Sequence, residues 1–99
     1  MLHRIDGWVV VANASLEETV NSIKHLGVDA VSSPDENQVG FSFFVREYAD
    51  YVLLNEGIGA VPGVRAVQYT SSAVLAAEHL RLEALRTLQR QPVSEPYED

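Results

Sequence analysis

Val61-Pro62-Gly63-Val64-Arg65-Ala66-Val67-Gln68-Tyr69-Thr70 is the stretch that decides the fold. Proline presets the φ of the second residue of a reverse turn and glycine accepts the positive φ of the third, so Pro62-Gly63 reads as a tight turn. The residues after it read as a strand. Working outward from that turn, two strand-helix-strand units stand in succession before and through it. Two such units imply a split β-α-β sandwich with helices over one face of a single sheet. The other face must find its own cover, and what covers it bears directly on function.

The upstream elements follow from periodicity and punctuation. Gly7-Trp8-Val9-Val10-Val11-Ala12 is a β-branched run, apolar on both faces, which predicts an interior strand. Ser15-Leu16-Glu17-Glu18 is a capping box: the Ser15 hydroxyl can accept from free helix N–H groups while Glu18 reaches back. Leu16, Val20 and Ile23 then recur at helical spacing, and Gly27 supplies the left-handed stop, predicting a helix over Leu16–Leu26. Val28–Ser32 reads as a short, charged edge strand and Pro34-Asp35-Glu36-Asn37 as a turn. In the next strand Val39, Phe41, Phe43 and Val45 share one face, the core face, and Gly40, Ser42 and Phe44 the other.

A second helix spans Tyr48, Tyr51, Val52, Asn55 and Ile58, with Gly57 and Gly59 each costing about 1 kcal/mol against alanine, so its end should fray or tighten. In the last strand Val64, Ala66 and Gln68 alternate with Arg65, Val67 and Tyr69. A third helix is predicted from about Ser72 to Gln91, with Leu80, Ala84 and Leu88 one turn apart and Pro92 as its stop. The order is that of a ferredoxin-like βαββαβ α+β sandwich with an added C-terminal helix. Residues 1–91 form one domain in this reading, and 92–99, with three acids and a proline, a mobile acidic tail.

Composition narrows the function classes. Seven basic residues against fourteen acidic ones give a formal charge of −7, a field that repels nucleic acid and suits cationic partners. With no cysteine, disulfides, thiolate metal sites and thiol nucleophiles are excluded. No export signal or membrane-length apolar run is apparent, so a cytoplasmic location is expected, with no membrane partner.

No residue constellation reaches a catalytic signature. His3, His25 and His79 show no ligand spacing, His25 suits the C-terminus of the first helix, and His79 with Glu83 reads as a surface pair one turn apart. Ser71-Ser72 is explained by helix capping, and Glu17-Glu18 and Asp35-Glu36 by solvation. Gly57-x-Gly59 precedes a strand where a nucleotide loop would follow one, so no cofactor is expected. The suggestive set is Trp8, Val10, Phe44, Val67 and Tyr69, which alternation can gather on the sheet face away from the first two helices. Such a patch is covered by the third helix, closed by a second copy, or used to bind a peptide or small ligand.

Two resemblances sharpen these alternatives. The acid-rich first helix, Tyr48-x-x-Tyr51, Val61-Pro62-Gly63-Val64 and the polar final strand resemble the effector-binding domain of Lrp/AsnC regulators, without its DNA-binding part, over about Gly7–Leu75. That resemblance implies a non-enzymatic regulatory module that self-associates through its sheet, as a homodimer or larger, and binds a small metabolite. Asn37-Gln38-Val39 and Gly63-Val64-Arg65-Ala66-Val67 look like the NapD-type maturation chaperones, which implies binding of a basic, twin-arginine signal peptide across the sheet. Small dimeric sandwiches of this topology also include cofactor-free oxygenases and isomerases, a third class for which no acid-base pair is found.

Overall fold

The computed structural model describes residues 1–12, 16–33, 35 and 37–90. Its elements run β1 (His3–Val11), α1 (Leu16–His25), β2 (Asp29–Ser33), β3 (Gln38–Val45), α2 (Tyr48–Gly59), β4 (Val64–Tyr69) and α3 (Ser71–Arg90). All strand pairs are antiparallel in the order β2-β3-β1-β4, the ferredoxin-like α+β arrangement with one further helix. The interior strands are thus β1 and β3, the two longest, and β2 is the short edge strand its charge predicts.

Local chemistry fixes the joints. Val64 N–H donates to the Val61 carbonyl across Pro62-Gly63 at 3.2 Å, with Gly63 at φ 91°, the type II turn that requires glycine in third place. Gly27, at φ 83°, stops α1 with its N–H on the Lys24 carbonyl. The glycine-weakened end of α2 tightens: Ala60 N–H bonds Glu56, and Val61 N–H bonds Ile58 one residue short of the helical pattern. α3 is capped by Thr70, whose hydroxyl accepts from Ala73 N–H at 3.2 Å, not by Ser71 or Ser72. The Ser15 cap, Pro34 and Glu36 of the turn, and residues 91–99 with the helix stop and acidic tail lie outside the described residues.

β1 begins four residues earlier than the apolar run predicts, because His3-Arg4-Ile5-Asp6 already alternates and Ile5 is fully buried. Ile5, Val9, Val11, Val39, Phe41, Phe43 and Val45 form the inner sheet face, against Ile23 and Ile58 from the helices. Phe43, Phe41, Tyr69, Tyr51 and Tyr48 make a continuous aromatic chain along it, with successive ring centroids 5.6–6.1 Å apart. Each such contact adds about 0.5–1.5 kcal/mol beyond its buried area.

α3 lies on this same side of the sheet. Ala73 and Leu80 enter the core with Ile5 and Val45, and the His79 ring packs beside His3 at 5.3 Å, on the inward alternation of β1. The third helix therefore does not cover the outer face. No helix is long and apolar enough to cross a membrane among the described residues.

Candidate functional site

The outer face can be read in rows from the strand register. Phe44 stands beside Arg4; Asp29, Ser42 and Asp6 form the next row; Val31, Gly40, Trp8 and Gln68 the third; Ser33, Gln38, Val10 and Ala66 the fourth. No described element packs over these rows, and Phe44 and Val31 are 57% and 71% exposed.

Of the five residues predicted to gather here, three do. Trp8, Val10 and Phe44 point outward, although Phe44, opposite Arg4, stands about 14 Å along the strand from Trp8. Val67 and Tyr69 do not. They pair with Val9 and Gly7 and so face inward, packed against the core. Trp8 is opposite Gln68, so Trp8 and Tyr69 are on opposite faces and not cross-strand neighbours. The assignment of Val64 to the face of Ala66 and Gln68 also fails. A register shift at Val10/Val11 pairs Val64 with the inward Val11 and Ala66 with the outward Val10, leaving Arg65 as the extra residue.

Tyr69 has a structural task. Its hydroxyl donates to Asn55 Oδ1 at 2.5 Å, and its ring meets Phe41 edge-on. Burial first, then repulsion from Tyr51, holds its phenol well above the ordinary range, so it stays protonated at neutral pH. Tyr51 is raised too, chiefly by burial.

What the sequence reading did not assemble is the middle of the outer face. A shallow groove of about 260 Å³ runs over Gly40 and Ser42, with Val31 as an apolar wall and Asp6 and Asp29 among its lining residues. An added Cβ on Gly40 would meet nothing closer than two backbone oxygens, those of Val31 at 3.8 Å and Gly7 at 3.9 Å. No side chain occupies the space the glycine leaves. Arg4 also lines the groove and donates from Nε to Asp6 at 2.9 Å, whereas Asp29 makes no salt bridge among the described residues, so one arginine against two aspartates leaves an excess of negative charge at Asp29. By the register the two carboxylates flank Ser42 from opposite sides, with backbones about 9.5 Å apart. One signal for this groove was present in the sequence: a glycine inside an alternating strand marks close approach by something else.

Two larger grooves lie elsewhere. One of about 450 Å³, lined by Leu2, Phe44, Arg46, Asp50, Leu53 and Leu54, opens at the end of β3. Another of about 470 Å³ lies between Tyr48, Ala49 and the Leu80, Ala84, Leu88 stripe of α3, where the helix runs past the body. Like the groove over Gly40 they carry both signs of charge, Arg46 with Asp50 in the first and Arg46 with Glu47 and Glu83 in the second, but neither has a glycine floor on the open sheet face. His25 Nδ1 lies 3.1 Å from the Asn21 carbonyl, and His79 Nε2 lies 3.8 Å from Glu83, a surface pair. Among the described residues no group of three or more His, Cys, Asp or Glu side chains could hold a metal ion.

Comparison with known proteins returned no match: no family model fits the chain, and neither a curated protein nor a solved structure is significantly similar to it.

Proposed function

We propose that the chain is a non-enzymatic binding module that uses the outer face of its sheet to hold a basic, partly apolar peptide segment. The observation that carries this reading is the unfilled groove over Gly40, acidic at Asp6 and Asp29 and bounded by exposed Val31. A cationic side chain laid over Ser42 would lie between Asp29 and Asp6, sharing Asp6 with Arg4, while Trp8 in the adjoining row and Val10 in the row beyond it offer apolar contact to its neighbours. The signal-peptide chaperone reading is favoured over sheet-to-sheet association because two copies joined by this face would appose their acidic grooves. A small metabolite is the weaker fit, since so shallow and open a surface cannot bury most of a compact ligand. Regulation through self-association and oxygenase or isomerase chemistry gain no support from this groove.

The test uses Trp8, the only tryptophan of the chain, as its reporter. Titration with a synthetic peptide of alternating arginine and leucine is expected to change its fluorescence, more weakly as salt rises, and a glutamate-leucine peptide is not. Asp29→Lys should weaken binding about tenfold through the lost charge-assisted contact. A basic peptide that leaves Trp8 unaffected, or an Asp29→Lys variant of unaltered affinity, overturns the reading.

A further inference from the structure

α3 has more apolar surface than the body uses. Ala73 and Leu80 are its only buried residues, and after Leu80 none is buried. Leu75, Leu82 and Leu85 are 71%, 42% and 42% exposed. At 100° per residue they fall together on the side of the helix opposite Ala73, Leu80 and Ala84. Leu75 and Leu82 are seven apart, as are Glu78 and Leu85, which is the spacing of a helix-helix seam.

Charge selects the occupant. The chain is acidic, yet three of its seven basic residues, Arg81, Arg86 and Arg90, are in the second half of α3, and residues 71–80 contain no lysine or arginine. Arg81 is held by Glu78 at 2.6 Å and Arg86 by Glu83 at 3.0 Å, while Arg90 makes no salt bridge among the described residues. We propose that this stripe packs against the same stripe of a second copy, with the two α3 helices antiparallel. That arrangement sets the cationic turns of each copy beside the turns of the other that lack basic residues, and it opposes the helix dipoles. A parallel pair would put Arg86 and Arg90 beside their own images. Antiparallel pairing closes under a two-fold axis, so it stops at two copies. It leaves the outer sheet face free and does not depend on the peptide-binding reading.

A helix of 20 residues offers a strip about 30 Å by 10 Å, or about 300 Å² per partner, against about 800 Å² for a standard stable interface. An interface below that size makes a weak, transient dimer that dissociates on dilution. Sedimentation equilibrium on the full chain tests it. Leu82→Glu with Leu85→Glu should weaken association by at least about a hundredfold, because four charges enter the seam, with an unaltered far-UV spectrum since both side chains are already partly exposed. Phe44→Glu, on the sheet face, should leave the dimer intact. In this cysteine-free chain Gln89→Cys should not form a disulfide-linked dimer on mild oxidation, because antiparallel helices hold the two positions apart. A strictly monomeric wild type, a dimer that survives Leu82→Glu with Leu85→Glu, a dimer dissociated by Phe44→Glu, or rapid Gln89→Cys crosslinking each overturns the proposal.

Discussion

Gly7 and Gly40 lie on adjacent, paired strands at successive rows of one sheet, and they are glycines for opposite reasons. On the inner face Gly7 is opposite Phe41, and an added Cβ would fall on the backbone oxygen of Gln68 and 2.8 Å from Phe41 Cζ. The missing side chain there is already filled. On the outer face Gly40 is opposite Trp8, and its missing side chain leaves the floor of a groove. One glycine lets the core close; the other keeps a surface open. The same residue type thus serves a close approach inside the core at one position and leaves open space at the surface at the other.

The strongest way to break this contrast is at Gly7. Gly7→Ala should destabilise the chain by about 3 kcal/mol, since a backbone oxygen cannot yield and the Phe41 ring can do so only by disturbing its contacts with Phe43 and Tyr69. Urea denaturation measures it. A variant with the wild-type midpoint would mean that the inner face is loosely packed and that the two glycines do not differ in kind.

A smaller effect is expected at Tyr69, opposite Gly7 in the same row. Tyr69→Phe retains the ring but loses the hydrogen bond to Asn55, a cost of about 1 kcal/mol at neutral pH. The pH dependence has a definite sign. A phenol whose native pKa is raised contributes stability that is fully present below the unfolded value of about 10 and is lost as pH rises from there toward the native value. The wild type should therefore lose stability above about pH 10 more steeply than Tyr69→Phe, which retains a residual slope because Tyr51 is raised as well. Denaturation midpoints on either side of that pH decide it, and equal slopes would show Tyr69 to be as solvated as an unfolded tyrosine.

Most of the architecture was legible because it rests on local rules. Pro62-Gly63, Gly27 and the alternation of Val39 to Val45 each state a backbone conformation in a few residues, and each appears as read. The face of the last strand was not legible in the same way. Val64 to Tyr69 alternates without a purely polar side, so only its pairing with β1, shifted at Val10/Val11, decides which residues are inward. The suggested site was mixed for that reason: Phe44 took its orientation from a cleanly alternating strand, whereas the run from Gly7 to Ala12 and the last strand are apolar on both sides, so only the register places Trp8 and Val10 outward and Val67 and Tyr69 inward. The acidic groove escaped because its parts, Asp6, Asp29, Val31 and Gly40, come from three strands and meet only through the register.

The smallest expected change in stability sharpens the comparison most. Gly40→Val should alter stability by no more than about 0.5 kcal/mol, because the new Cβ makes only ordinary contacts, Gly40 does not have positive φ, and a β-branched residue suits a strand interior. The substitution nonetheless places two methyl groups where the groove floor was, between Val31 and Trp8 and next to the row of Asp29, Ser42 and Asp6. Binding of the arginine-leucine peptide, followed by Trp8 fluorescence, should fall sharply while the denaturation midpoint stays where it was. If Gly40→Val instead destabilised the chain as much as Gly7→Ala, the outer face would be as tightly packed as the inner one. If it left both stability and binding untouched, the groove over Gly40 would be an idle gap in the surface, and the site would have to be sought elsewhere on that face.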